Sequence, residues 1–367
     1  MSAETTSNPD QSPDLAQRYQ HELELALKRY TKAMGLLTNP PEVAVGQSPK
    51  EVIWTRNKAR LYHYLPSPKA PKKHAVPLLF VYALINKPYV LDLRPGASLI
   101  QFLLERGYEI YLLDWGVPGP EDSNLTVDDY VLDYIPRAVK HTLRHAGAKE
   151  LSILGYCLGG TLLTAFAALH PEMPIKNLIM MAAPLDFASC GLFQKWLDPK
   201  HFNVDQVIKA YGNMPAEIID FGTKLLKPYP NFIGTYVGAF DKLWDDRAVE
   251  SWLSMQKWVN DGVPFAGAAF KQWIKDFYQE NKLTTNRLVL RGRQVKLENI
   301  KANLLVIVAQ HDHIALPEQS KPLLDLVSSP DKELLVLPAG HVGLVVGRSA
   351  SKGLWPALDK WLGARSS

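Results

Sequence analysis

Two apolar periodicities alternate along the chain. Leu15, Tyr19, Leu23, Leu25, Leu27, Tyr30, Met34 and Leu37 recur at roughly helical spacing. A helix is therefore predicted from Pro13 to Leu37, stopped by Pro40 and Pro41, behind a disordered tail over residues 1–13. "EVIWTRNKARLYHYLP" (51–66) reads as a strand pair around an irregular turn. Short continuous apolar runs then follow: "HAVPLLFVYA" (74–83), "YEIYLLDWG" (108–116), "ELSILGYC" (150–157) and "IKNLIMMAAPLDF" (175–187). Helical stretches separate them, Leu99 to Arg106, Val127 to Ala146 and Thr161 to Leu169. Strands that are apolar throughout, alternating with helices, predict a mostly parallel sheet covered by helices on both faces.

The texture changes between Asp186 and Ile300. That stretch carries five of the nine tryptophans and nine of the twelve phenylalanines. Helical spacing dominates it, and no strand is evident before Arg287. It reads as a helical, aromatic-rich cap inserted into the α/β chain. Strand-like runs resume with "NLLVIVAQHDH" (303–313) and "KELLVLPAGHVG" (332–343), and "SKGLWPALDKWLG" closes the chain as a docking helix. The expected organisation is a tail and amphipathic helix (1–50), the first part of the core (51–185), the cap (186–300) and the second part of the core (301–367).

Composition narrows the class. Of 367 residues, 47% are hydrophobic and 21% charged, which suits an ordinary globular protein. The net charge of +4 comes from scattered basic residues, so no nucleic-acid surface is expected. Cys157 and Cys190 are the only cysteines, too few for a disulfide scaffold and consistent with a reducing compartment. The polar, acidic start does not read as a signal peptide. No run of about 18 apolar residues occurs. A cytoplasmic setting is expected.

Candidate chemistry centres on Gly155-Tyr156-Cys157-Leu158-Gly159. Two glycines at this spacing, between a strand and a helix, fit a nucleophile elbow of the Gly-x-Ser-x-Gly kind with cysteine in place of serine. Most free cysteines are small buried hydrophobes, but the glycine spacing favours a nucleophile. The N–H of Leu158 is then aimed at a developing oxyanion, and the loop after 74–83 offers a second donor, Leu84 or Ile85. Asp312 follows one strand and His341 the last strand, which is the order acid, then histidine, expected after such a nucleophile. Alone, Asp312 would read as a helix cap and His341 as a core histidine. Three positions in order, each after its own strand, favour a triad. His311 and His313 have a common metal-ligand spacing, yet no third ligand cluster accompanies them, so no metal and no cofactor are expected. The remaining histidines, His63 and His145 among them, receive no role.

"GYCLGG", "INKPYVLDLRPGASL", "YLLDWG", "HDHIALP" and "GHVG" together resemble the polyhydroxyalkanoate synthases, from about residue 45 onward. The resemblance implies an α/β-hydrolase fold with a cap domain. It implies polymerisation of (R)-3-hydroxyacyl-CoA, chiefly 3-hydroxybutyryl-CoA, through a cysteine thioester with release of CoA. The family's nucleophile, acid and base map onto Cys157, Asp312 and His341, and its auxiliary histidine onto His313. Asp312 would either orient His341 or activate the incoming hydroxyl. The length resembles the short catalytic subunit of the two-component type, with a helical accessory subunit as partner. A homodimer or hetero-oligomer at the surface of the growing polyester granule is expected. Two other readings compete: a cysteine hydrolase of the thioesterase or dienelactone kind, and a non-catalytic scaffold of the same fold.

Overall fold

The computed structural model describes residues 15–68, 70, 74–347 and 349–366. The tail expected over 1–13 and the first residues of the predicted N-terminal helix lie outside them. The chain divides into two compact units, Met1–Val43 with Lys227–Met255, and Ala44–Leu226 with Gln256–Ser367.

In the first unit, α1 (Leu15–Thr38) has no buried residue. Its apolar face, Leu15, Tyr19, Leu23 and Leu27, is exposed. Lys32 on α1 pairs with Asp246 at 2.5 Å, and Tyr236 packs edge-on against Trp252. Phe232, Tyr236, Phe240 and Trp244 are also exposed.

The second unit is built on one eight-stranded sheet. Its strands are β1 (Lys50–Arg56), β2 (Ala59–Tyr64), β3 (Leu78–Val81), β4 (Ile110–Asp114), β5 (Leu151–Tyr156), β6 (Ile175–Met181), β7 (Asn303–Ala309) and β8 (Lys332–Leu337). They lie in the order β1-β2-β4-β3-β5-β6-β7-β8. Strand β2 is antiparallel to both neighbours, and the other pairs are parallel. Every residue of β3 and β5 is buried, which explains their unbroken apolar runs. Strand β3 begins just after Pro77, which has no N–H to donate and enters the ladder only through its carbonyl, the acceptor of Ser152 N–H at 2.8 Å.

Ser98 caps α2 (Leu99–Leu104), accepting from the N–H of Gln101 at 2.9 Å. Helix α3 (Ile135–Ala146) continues helical turns that start at Val127, and Gly147 ends it at φ +63°. Helix α4 (Leu158–Leu169) starts three residues before the predicted Thr161, and all twelve of its residues are buried. A helix apolar all round belongs in the interior. The closing helix, α5 (Trp355–Gly363), is tied to the core by Arg106–Asp359 at 3.0 Å.

The aromatic-rich stretch leaves after β6 and returns at β7, two strands that are neighbours in the sheet. It is helical at Val204–Tyr211, Ala216–Lys224, Asp246–Asn260 and Gly267–Gln272, with wide turns continuing through Trp273–Gln279. Residues 227–255 of it belong to the first unit, with α1. A two-residue hairpin, Val289–Leu290 with Arg293–Gln294, precedes β7.

The junction of β5 and α4 has no room for side chains. A Cβ on Gly159 would lie 2.3 Å from the carbonyl oxygen of Val81 and 2.5 Å from that of Tyr82. One on Gly155 would lie 2.4 Å from the Cα of Gly160. Rigid backbone on both sides leaves no relaxation by side-chain rotation. Gly159→Ala is therefore expected to cost about 1–3 kcal/mol, the usual range for overpacking. Gly238→Ala meets nothing within 4 Å in an exposed helix and should be stabilising by up to about 1 kcal/mol. Thermal melts of both variants check the contrast; equal melting temperatures would contradict it.

Candidate active site

The elbow between β5 and α4 holds Cys157 at φ +54° and ψ −130°. This region is costly for a residue with a Cβ, and it turns the cysteine out of the ladder at the C-terminal end of the sheet. The Cys157 N–H donates to Met181 O at 2.9 Å, which anchors the turn to β6. Leu158 opens α4, so its N–H has no acceptor within the helix. The loop after β3 runs alongside, where Val263 N–H donates to Ile85 O at 2.9 Å and Trp258 Nε1–H to Lys87 O at 2.8 Å. Of the two predicted loop donors, Ile85 borders the same cavity as Cys157 and Leu158. Leu84 borders another recess, beside Trp115.

His341 and Asp312 come from the turns after β8 and β7. The Nδ1 of His341 lies 2.7 Å from Asp312 Oδ2. The other carboxylate oxygen, Oδ1, accepts from the N–H groups of Ile314 at 2.8 Å and Ala315 at 3.0 Å. Asp312 thus has a capping-type turn as well as the pairing, and its side chain has no exposure to solvent. Cys157 lies close enough to His341 to raise its pKa, second to Asp312. The three predicted residues meet in one chain, Asp312–His341–Cys157. His313 is half-buried in the same turn as Asp312.

Burial alone would push His341 down and Asp312 up. In each case the partner's charge and the hydrogen bonds overcome it. His341 is held well above the ordinary histidine range by Asp312, then by Cys157. Asp312 is held below the ordinary carboxylate range by His341 and the two N–H groups. Burial pushes the Cys190 thiol up to about 11, so Cys190 stays protonated near neutral pH.

Tyr156 was not singled out by sequence. Its hydroxyl donates to the carbonyl of His341 at 3.1 Å, and its ring lies 5.3 Å from the imidazole. Its place immediately before the cysteine was the available signal.

Cys157 opens into an apolar cavity of about 280 Å³. Phe193, Trp196, Phe202, Phe265, Trp273 and Tyr278 are among its walls, with Ile218 and Ile219. The walls come from residues 186–226 and 256–300 of the aromatic-rich stretch, together with the sheet ends. Among the described residues, no helix is long and apolar enough to cross a membrane.

Comparison with known proteins bears on the fold and the family. Residues 76–347 match the family described as alpha/beta hydrolase fold, and residues 36–103 match the Poly-beta-hydroxybutyrate polymerase (PhaC) N-terminus. The poly(3-hydroxyalkanoate) polymerase subunit PhaC of Haloferax mediterranei is 41% identical over 354 residues, covering 96% of this chain and 71% of the relative. That of Allochromatium vinosum is 38% identical, covering 92% and 95%. A thermophilic esterase from Thermogutta terrifontis shares the fold at a TM-score of 0.51 and 15% identity, over 88% of this chain and 100% of the esterase. On these matches, the chain belongs to the poly(3-hydroxyalkanoate) polymerase PhaC family, carried on an α/β-hydrolase fold.

Proposed function

We propose that this chain polymerises (R)-3-hydroxyacyl-CoA, chiefly 3-hydroxybutyryl-CoA, into polyhydroxyalkanoate with release of CoA. The observation that carries the reading is Cys157 on a strained elbow, beside the buried, hydrogen-bonded His341–Asp312 pair and facing an apolar cavity. His341 takes the thiol proton, and the thiolate of Cys157 attacks the acyl carbonyl of the CoA thioester. The resulting oxyanion is received by the N–H of Leu158, with Ile85 the better-situated second donor. As the tetrahedral intermediate collapses, the C–S bond to CoA breaks, and the departing thiolate takes the proton from His341. The acyl group is left on Cys157 as a thioester. The 3-hydroxyl of a second acyl group then attacks that thioester while His341 accepts its proton, forming the ester bond and restoring the thiol.

Cysteine suits this sequence better than serine. A thiolate is more available near neutral pH than an alkoxide, and a thioester remains a good acyl donor to an alcohol. The apolar walls favour an acyl chain over water as the occupant, which argues for transfer above hydrolysis. For Asp312, the geometry favours the orienting role, since both its oxygens are engaged and its side chain is buried. Residues 186–300 would act as the cap, gating the cavity. The exposed apolar faces of α1 and of residues 232–244 suit a helical accessory subunit or the polyester granule.

The direct test incubates the purified chain with 3-hydroxybutyryl-CoA, with and without the accessory subunit of a related two-component synthase. Free CoA and polymer should rise together, whereas CoA without polymer would identify a hydrolase. Cys157→Ala should abolish turnover with the fold intact, while Cys190→Ala, altering a buried protonated thiol, should retain it. If Cys190→Ala is the inactive protein, the nucleophile is misassigned.

His341→Ala and Asp312→Asn should both slow acylation of Cys157, by about 10²–10⁴-fold for loss of a positioned acid–base group. Mass spectrometry of the acyl-enzyme measures this. Normal acylation with failed elongation in Asp312→Asn would instead assign Asp312 to the incoming hydroxyl.

The pair also predicts a pH window. The lowered Asp312 contributes stability above its unfolded pKa of about 3.9, lost as pH falls through its folded value. The raised His341 contributes stability fully below its unfolded pKa of about 6.5, lost as pH rises through its folded value. The stability gap between wild type and Asp312→Asn should therefore be widest from about pH 4 to 6.5 and shrink on both sides. Thermal melts across pH read this, and a flat difference would contradict it.

A further inference from the structure

Three neighbouring strands at the sheet margin carry a second set of polar side chains in one row. The register places Glu51 of β1 opposite His63 of β2, and His63 opposite Tyr111 of β4. Glu109 lies two residues before Tyr111, on the same face. His145, in the last turn of α3, comes down onto this row, with its ring 4.6 Å from that of His63. None of these groups belongs to the Cys157 site, since β4 and β3 separate β2 from β5.

The hydrogen bonds in the row orient both imidazoles. A carboxylate only accepts, so the Tyr111 hydroxyl donates to Glu109 Oε1 at 2.6 Å, and its oxygen accepts from His145 Nδ1–H at 2.8 Å. In the neutral imidazole this bond leaves Nε2 of His145 as the lone-pair nitrogen, 3.8 Å from Glu51 Oε1. His63 Nδ1 lies 3.0 Å from the same Glu51 oxygen, and its Nε2 lies 3.8 Å from Glu109. One ligand atom each from Glu51, His63 and His145 fall within 4.8 Å of one another.

We propose that Glu51, His63 and His145 form a binding site for a divalent transition-metal ion, specifically Zn²⁺, that clamps the β1–β2 hairpin to α3. Tetrahedral zinc with bonds of 2.0–2.2 Å holds its ligand atoms about 3.3–3.6 Å apart, between the 3.0 and 3.8 Å seen here. Two imidazoles and a carboxylate match the donor preference of zinc. Glu109 backs both imidazoles, facing His63 Nε2 directly and reaching His145 through Tyr111. This is the outer carboxylate that metal-bound histidines commonly have. On binding, His63 moves its proton from Nδ1 to Nε2, toward Glu109. Glu51 and His145 are partly exposed, with side-chain exposures of 53% and 36%. The ion therefore has an entry route, and a fourth position is open to solvent.

The test titrates Zn²⁺ into the untagged, chelator-stripped full chain by calorimetry. All proteins carry Cys157→Ala, which removes the active-site thiol as a competing ligand. The parent should bind one Zn²⁺ per chain and melt at a higher temperature with zinc than without. Tyr111→Phe should weaken binding about 10–100-fold, as for loss of an outer-shell partner. Glu51→Gln and His145→Ala should weaken it at least as much and lose the zinc-dependent rise in melting temperature. Glu51→Gln is nearly isosteric and exposed, so misfolding would not mimic the result. Absence of zinc uptake by the parent, or unchanged affinity in both ligand variants, would overturn the proposal.

Discussion

The close approach of backbone to backbone where β5 turns into α4 is the constraint on which the rest of the site depends. Gly155 and Gly159 let the first turn of α4 lie against the ends of β3 and its own strand. Only that packing can hold Cys157 at φ +54°, a conformation with an intrinsic cost of order 1–3 kcal/mol that surrounding structure must over-determine. The same turn fixes the direction of the Leu158 N–H and brings the loop carrying Ile85 alongside. The positions proposed for nucleophile and oxyanion donors thus depend on one junction, with no flexible side chain in between.

The electrostatics follow from burial. Asp312 and His341 are removed from water, and each alone would be pushed toward its neutral form. Their contact at 2.7 Å, with two backbone N–H groups on the carboxylate, reverses both tendencies. A buried pair that is fully hydrogen-bonded is strongly committed to its geometry, because losing either partner leaves an uncompensated charge. Beside it lies a cavity walled almost entirely by apolar side chains. Charge is concentrated on the Asp312–His341 pair beside Cys157, and the remaining walls supply apolar surface.

The sheet margin follows another logic. Glu51, His63 and Tyr111 face one another across three strands because alternation in each strand puts every second side chain on the same face. Their spacing along the sequence carries no metal-ligand motif. His63 and His145 are 82 positions apart, counted as 145 − 63, and only the strand register and the descent of α3 bring them together.

Much of the architecture could be read from the chain alone. Unbroken apolar runs mark β3 and β5 because both faces of those strands are covered, and an all-apolar Leu158–Leu169 marks a helix with no wet side. Glycine spacing pointed to the elbow at Cys157, and the order of residues after β7 and β8 pointed to Asp312 and His341, which the structure brings together because strand ends converge at one edge of a parallel sheet. Local pattern did not reach further. It could not say that Ile85 borders the cavity beside Cys157 while Leu84 borders another recess, since that depends on how the loop packs. Nor could it find Tyr156 behind His341, the burial that engages both oxygens of Asp312, or the row from Glu51 to His145. Periodicity and spacing record what each residue needs from its own element. Which groups from different elements meet, and what their meeting does to charge, is decided by packing and register in three dimensions.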